Sequence, residues 1–286
     1  MATFFNQASI SFNGYVTNSN VTAGEVIDTL AVTKTAISEN YGASDGVVYA
    51  VSIVNGGTSP ITDITLTDDL GAYAVGDSTV VPLDYIDGSA RLYINGALAP
   101  APTVVAGPPL VFSGINIPAG ANALLLYEAR TNAYAPLGEG SSINNTVSAT
   151  STLPCVEGPI EASATVPVEE FTALSIAKSI CPDTVASCEE VNYSFVLQNA
   201  GNRAVVATDG VVVSDTFVPA LSNITVTFNG TELTEGTGYT YDEATGEFAT
   251  LPGVITIPAA VFSQNTETGV ITTTPGSSLL TVSGTV

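Results

Sequence analysis

The chain has 286 residues, of which 5 are Lys or Arg, 27 are Asp or Glu and none is His, so its formal net charge is −22. This balance disfavours a nucleic-acid partner, because a protein that binds phosphates must supply many cations. The absence of His excludes imidazole bases, Ser-His-Asp triads and histidine zinc sites. Since 45% of the residues are hydrophobic, the chain is not a disordered acidic segment.

The segment at the N-terminus, residues 1–13, is predicted to be a single β-strand arm. It has neither the basic start nor the long apolar stretch of a signal peptide. No apolar run in the chain reaches the roughly 18 residues of a membrane span, so we expect no membrane insertion. Residues 14–29 are predicted to be a linker. Alternation places five arm residues on one face, namely Phe4, Asn6, Ala8, Ile10 and Phe12.

From residue 30 onward, nearly every segment alternates apolar and polar residues between Gly, Pro, Asn and Asp, as in residues 47–54 and 64–67. Such alternation is typical of half-buried strands. Asn-Gly pairs at 95–96 and 229–230 indicate two-residue hairpin turns. No window has a convincing helical period. The sequence therefore predicts an all-β protein.

The two halves of the chain repeat the same order of motifs. Leu-Ala-Val-Thr-Lys-Thr at 30–35 matches Leu-Ser-Ile-Ala-Lys-Ser at 174–179, and weaker matches follow through to 123–127 against 279–283. Self-similarity of this kind indicates duplicated structural units. We therefore predict two tandem β-sandwiches, residues 30–152 and 174–286, joined by a linker over residues 153–173.

The repeated order also carries a family resemblance. It runs from a Lys in a first strand to V-x-Y-x-V-x-V-x-N-x-G, then V-T-D-x-L, I-P-x-G and N-T-x-V. This order resembles the Ig-like surface repeats called domain of unknown function 11. The resemblance covers both halves. It implies Ig-like sandwiches and an extracellular structural role, because members are similar to bacterial and archaeal surface stalks and adhesins.

The second sandwich is predicted to lack the last strand of the first. Residues 141–150 are that strand in the first sandwich, and the arm aligns with it at an offset of 139 residues, Phe4 on Ile143 and Asn6 on Asn145. An incomplete sheet leaves an open edge that needs a cover. We expect the arm of one subunit to complete the second sandwich of the next, which gives a head-to-tail filament. The alternative is an ordinary tail or a self-paired strand.

Two sets of polar residues face the predicted interiors. Lys34 and Lys178 are the two lysines, each on the inner face of its strand. A desolvated Lys beside a protonated Asp can attack an Asn carboxamide and form an isopeptide bond. The alternative is a buried Lys–Asp ion pair with Asn as a further hydrogen-bond partner. The expected sets are Lys34, Asp68 and Asn145 within the first sandwich, and Lys178, Asp215 and Asn6 between subunits.

The cysteine spacing permits two outcomes. Cys181 and Cys188 are close enough in sequence for a hairpin disulfide, and two free thiols are the alternative. Cys155 is left over. Asp68-Asp69 and the loop at Asp183 lack the alternating ligand spacing of a calcium loop, so we predict neither a metal site nor a cofactor.

Together these features predict the structural subunit of an extracellular filament, a homopolymer at a cell or spore surface, and not an enzyme. The alternative is a surface adhesin or ligand-binding fragment that stays monomeric.

Overall fold

A computed structural model describes residues 2–26, 30–151 and 158–286. Within them, the secondary structure is almost wholly β, with one 3-10 turn at Ala207–Asp209. The prediction of an all-β, Ig-like fold is confirmed. No helix in these residues is long and apolar enough to cross a membrane. The chain divides into unit 1, residues 1–135 and 142–167, and unit 2, residues 136–141 and 168–286.

The arm is a self-paired hairpin and not a single strand. Asn13 and Gly14 have positive φ values of 49° and 84°, which the tight turn of a two-residue hairpin requires. The sequence predicts a linker over residues 14–29, but residues 15–26 pair back along the first strand of the arm. Residues 27–29 lie outside the described residues. The strands are β1 (Ala2–Asn6), β2 (Ser9–Phe12), β3 (Tyr15–Asn18) and β4 (Thr22–Val26), with β1 paired to β4 and β2 to β3.

The remainder of unit 1 is a sandwich of two main sheets, in the orders β12-β11-β15-β6-β5 and β13-β14-β7-β16-β17. Alternate residues of the long strands are buried, as in a sandwich core. The strands are β5 (Leu30–Ala36), β6 (Gly46–Asn55), β7 (Ile61–Asp68), β8 (Tyr73–Val75), β9 (Ser78–Val80), β10 (Leu83–Tyr85), β11 (Arg91–Ile94), β12 (Ala97–Ala99), β13 (Thr103–Val105), β14 (Leu110–Ile117), β15 (Asn122–Thr131), β16 (Ser142–Thr150) and β17 (Ile160–Pro167).

Strand β17 corrects the predicted boundary of the first sandwich. It falls inside the expected linker 153–173 but pairs along β16, from Ser142 opposite Pro167 to Ala149 opposite Ile160. Its inner residues Ala164 and Val166 are buried. Two strands therefore close this side of unit 1 where the sequence predicted one.

Unit 2 contains a sheet in the order β18-β19-β27-β21-β22 and a shorter sheet in the order β20-β24-β23. Its buried cluster includes Phe195, Phe217, Val226 and Leu280. The strands are β18 (Leu174–Cys181), β19 (Glu190–Asn199), β20 (Ser214–Thr216), β21 (Ser222–Phe228), β22 (Thr231–Glu232), β23 (Tyr239–Asp242), β24 (Glu247–Thr250), β25 (Val261–Gln264), β26 (Ile271–Thr274) and β27 (Gly276–Thr285).

A buried asparagine at the end of a central strand makes the same turn in both units. Asn55 Oδ1 accepts the Gly57 N–H at 3.0 Å, and Asn199 Oδ1 accepts the Gly201 N–H at 2.9 Å. Their amides donate to the carbonyls of Pro118 and Pro258.

The predicted match of residues 123–127 to residues 279–283 is wrong by one residue. Tyr49 and Tyr193 are equivalent in the repeat, but Tyr49 pairs with Tyr127 whereas Tyr193 pairs with Val282.

Candidate functional site

The first predicted set lies in the core of unit 1. Lys34 is on the edge strand β5, and Asp68 is the last residue of β7. Lys34 Nζ donates to Asp68 Oδ2 at 2.7 Å, and both side chains are 0% exposed. The Leu70 N–H donates to the other carboxylate oxygen at 3.0 Å. Burying a charge is costly unless it is paired, and the Lys34–Asp68 contact offsets part of that cost.

Asn145 joins this pair through Tyr127. The Tyr127 hydroxyl donates to Asp68 Oδ2 at 2.5 Å, and Asn145 Nδ2 donates to the Tyr127 oxygen at 3.1 Å. Asn145 Oδ1 is buried and accepts no hydrogen bond from any described residue. The structure therefore brings Lys34, Asp68 and Asn145 into one network and adds Tyr127, which the sequence analysis missed.

Burial governs the protonation of this network. Burial lowers the pKa of Lys34, and the neighbouring Asp68 carboxylate opposes that shift. Burial raises the pKa of the Tyr127 phenol well above its usual range, and the Asp68 charge adds to it. The phenol consequently remains a hydrogen-bond donor, while the amine is displaced toward its neutral, nucleophilic form.

The second set is only partly assembled. Lys178 Nζ is paired with Asp215, but the side chains are 40% and 20% exposed. The ammonium lies 4.6 Å from the centre of the Tyr193 ring and 5.3 Å from that of Phe217. Val282 stands where unit 1 has Tyr127, so no phenol occupies that strand position. Asn6 lies in the arm, opposite Thr22, and its pairing with Lys178 of another copy stays a prediction.

The sheet that carries Asp215 has an open edge. In unit 1, β7 lies between β14 and β16, whereas β20 in unit 2 pairs with β24 alone among the described strands. Residues 211–213, which match residues 64–66 of β7, form no strand. A strand segment without a neighbour has no ladder to join, which explains why β20 is short. The place filled by β16 in unit 1 is not occupied by any described strand in unit 2.

The facing strand β18 is uncovered on its apolar side. Leu174 and Ile176 are 48% and 58% exposed, while their counterparts Leu30 and Val32 in unit 1 are 7% and 9% exposed. The difference arises because β17 lies beside β5 in unit 1. An apolar groove of about 310 Å³ results, lined by Leu174, Ile176, Leu197, Val211, Val213 and Ile257 among others.

Of the two outcomes that the cysteine spacing permits, the structure has the two free thiols and not the disulfide. Cys181 and Cys188 are both exposed free thiols. In the pairing of β18 with β19, Cys181 lies opposite Asn192 and not opposite Cys188. The Cys188 N–H donates to the Val286 carbonyl. Cys155 lies outside the described residues. No group of three acidic, Cys or His side chains suited to a metal occurs in the part of the chain that the structure describes.

A scan of protein-family models finds no match, and a search of curated proteins finds none either. Solved structures are similar in fold. The major pilin subunit of Bacillus cereus is 13% identical, covering 96% of this chain and 73% of that one, with a TM-score of 0.36. The collagen-binding subdomain of the Enterococcus faecalis surface protein ACE is 10% identical over 50% and 99%, with a TM-score of 0.32.

A family 123 glycoside hydrolase from Clostridium perfringens is also similar, at 10% identity over 49% of this chain and 28% of that one, with a TM-score of 0.30. Likenesses at these TM-scores carry no argument about function.

Proposed function

We propose that this chain is a subunit of an extracellular surface filament, in which the N-terminal arm of one copy completes unit 2 of the next. The observation that carries the proposal is the open edge of β20 beside the uncovered face of β18. An exposed sheet edge next to an apolar groove is a template for an added strand. In unit 1 the same position is filled by β16, whose sequence the arm resembles.

The arm has the composition of such an added element. Its residues Phe4, Phe5, Ile10, Phe12 and Tyr15 are more than half exposed, and so many exposed apolar side chains on a short segment indicate a partner surface. Glu25 is the single charged residue in positions 2–26. Copies that each carry a charge of −22 repel one another. An arm with a single charge adds little to this repulsion where it contacts the next subunit.

The proposal includes an isopeptide bond within unit 1, which the Lys34 network supports. Lys34 Nζ passes a proton to Asp68 along their hydrogen bond, and the neutral amine attacks Asn145 Cγ. The Nζ–Cγ bond forms, the Cγ–Nδ2 bond breaks, and Nδ2 leaves as ammonia with a proton from the attacking amine. Asp68 then returns its proton to the ammonia, which departs as ammonium, and no group is oxidised or reduced. The protonated Asp68 polarises the carboxamide during the attack.

The same chemistry is proposed for the joint between subunits, with assembly as its trigger. Lys178 and Asp215 are part-exposed before docking, so their charges stay solvated. When the arm covers them, desolvation favours the neutral pair, and Asn6 arrives at the position that Asn145 holds in unit 1. The bond would thus form only after the arm is seated.

A monomeric surface adhesin is the second candidate. It is favoured by an open groove of about 630 Å³ beside β20, β23 and β24, lined by Tyr241, Asp242 and Glu247 among others. Such a groove could hold a ligand instead of an arm. The two candidates differ in whether the purified chain assembles.

The test is electron microscopy and size-exclusion chromatography of the wild-type chain and two arm variants. Ile10→Asp places a charge on the face that would enter the groove, so we expect a monomer. Ser11→Asp is the matched control on the opposite face and should assemble as wild type does. A wild-type protein that stays monomeric at all concentrations would support the adhesin and overturn the filament.

A further inference from the structure

We propose that the donated element is the whole hairpin of residues 2–26, with both of its strands, and not the first strand alone. This inference rests on the proposed function, because it specifies which segment one subunit donates to the next. In unit 2 the first strand, β1 and β2, would take the place of β16, and the return strand, β3 and β4, the place of β17.

Unit 2 has two strand positions that none of the described residues fills. In unit 1, β16 pairs with β7, and β17 pairs with β16 and lies beside β5. A single strand on the edge of β20 would replace β16 alone. The apolar side chains of Leu174 and Ile176 on β18 would then stay about half exposed. Covering them as Leu30 and Val32 are covered requires a second strand.

The arm already holds two strands in the arrangement of β16 and β17. Both pairs of strands are antiparallel, and in both the first strand carries the asparagine of the proposed isopeptide bond, Asn6 in the arm and Asn145 in unit 1. Asn6 lies opposite Thr22 in the arm, as Asn145 lies opposite Ala164 in unit 1. Directly opposite residues point to the same face, so Thr22 belongs to the face that would enter the groove.

The neighbouring cross-strand pair conserves volume. In unit 1, Ile143 lies opposite Val166, and both are buried. In the arm, Phe4 lies opposite Gly24, and the Phe4 ring occupies the space where a Gly24 Cβ would lie. One large ring above a glycine therefore replaces two branched aliphatic side chains, the kind of exchange that packed cores tolerate. The return strand is thus fitted to the same inner face as the first strand.

The hairpin is also tied together where its register shifts. Residues 7–8 lie opposite residues 19–21, between the two ladders. There Ser19 Oγ accepts the Ala8 N–H at 3.0 Å, the Ala8 carbonyl accepts the Ser19 N–H at 2.8 Å, and Gln7 Nε2 donates to the Ser19 carbonyl at 2.8 Å. Donation of one strand would break these bonds and both ladders. Donation of the closed hairpin keeps them, and a preorganised element loses less entropy on binding.

The experiment locks the hairpin with a disulfide. Ser9 and Asn18 are directly opposite on the face away from Ile10, so Ser9→Cys with Asn18→Cys can close the pair without altering the docking face. The three native cysteines are replaced by Ser, and closure is checked by mass. We expect the oxidised and reduced proteins to form filaments at the same threshold concentration. Filaments from the reduced protein and none from the oxidised protein would overturn the inference, because single-strand donation requires the hairpin to open.

Two charge variants give a second readout that does not depend on oxidation. Thr22→Asp lies on the docking face of the return strand, and Ala23→Asp is its neighbour on the outer face. Hairpin donation predicts at least a tenfold higher threshold for Thr22→Asp and little change for Ala23→Asp; equal behaviour of the two would contradict it. Other outcomes would contradict the proposed function itself and not only hairpin donation. In that case the cysteine-free parent does not assemble, or it still assembles after residues 2–26 are deleted.

Discussion

The same substitution at the two equivalent lysines should have unequal effects on stability. Lys34→Met leaves the Asp68 carboxylate buried without its cation, and breaking a fully buried pair costs about 3–5 kcal/mol. The remaining hydrogen bonds from Tyr127 and Leu70 place the expected loss near the lower end, about 3 kcal/mol. Lys178→Met removes a pair that is 40% and 20% exposed, for which solvent screening reduces the expected loss to about 0–1 kcal/mol.

The assay is hydrogen–deuterium exchange of the full chain, because peptides from β6 and β19 report the opening of unit 1 and unit 2 separately. Both substitutions are made in a background that carries Ile10→Asp and Asn145→Ala, so that monomers without the proposed Lys34–Asn145 bond are compared. The expected difference of about 2 kcal/mol corresponds to roughly 30-fold in protection. Equal losses in the two units, or a larger loss for Lys178→Met, would refute the account of Lys34 as a fully desolvated group.

Three further predictions concern the networks. Tyr127→Phe should lower the free energy of unfolding of unit 1 by about 2–3 kcal/mol, because it removes a hydrogen bond to a charged group. Tyr49→Phe should cost less, about 1 kcal/mol, because the Tyr49 hydroxyl interacts with the neutral Asn145 side chain and not with the carboxylate. Lys178→Ala should collapse a detergent-resistant ladder to monomers on a denaturing gel, and an unchanged ladder would exclude this residue from the bond. Asp215→Ala should leave filaments visible by microscopy but remove the ladder, since docking of Asn6 persists while its carboxamide is no longer polarised.

The local alternation of the sequence was enough to place Lys34, Asp68 and Asn145 on inner faces. The side-chain period of a strand is two, so residue parity alone assigns the face. The repeat at an offset of 144 residues then located Lys178 at the equivalent position. These inferences needed no knowledge of which strands are neighbours.

The missed features depend on pairing between distant segments. The repeat match sets the strand of Tyr127 against unit 2 with a one-residue slip, and such a slip moves a side chain to the opposite face, so the predicted set lacks Tyr127. Asn13-Gly14 is a strong hairpin signal, but residues 15–26 carry less apolar alternation, so the sequence predicts a linker where the return strand lies. The sequence predicts a linker where β17 lies, since its Ala and Ser residues give a weak pattern and its burial comes from packing beside β5.

The central claim is that the arm of one copy fills unit 2 of another, and mixing two complementary variants tests it most directly. The acceptor lacks residues 2–26 and keeps unit 2 intact. The donor keeps its arm but carries Ile176→Asp, a site that is 58% exposed in the free chain and would be buried on docking. We expect each variant alone to remain monomeric and the mixture to give a 1:1 complex by light scattering. No complex on mixing, or filaments from either variant alone, would contradict the claim.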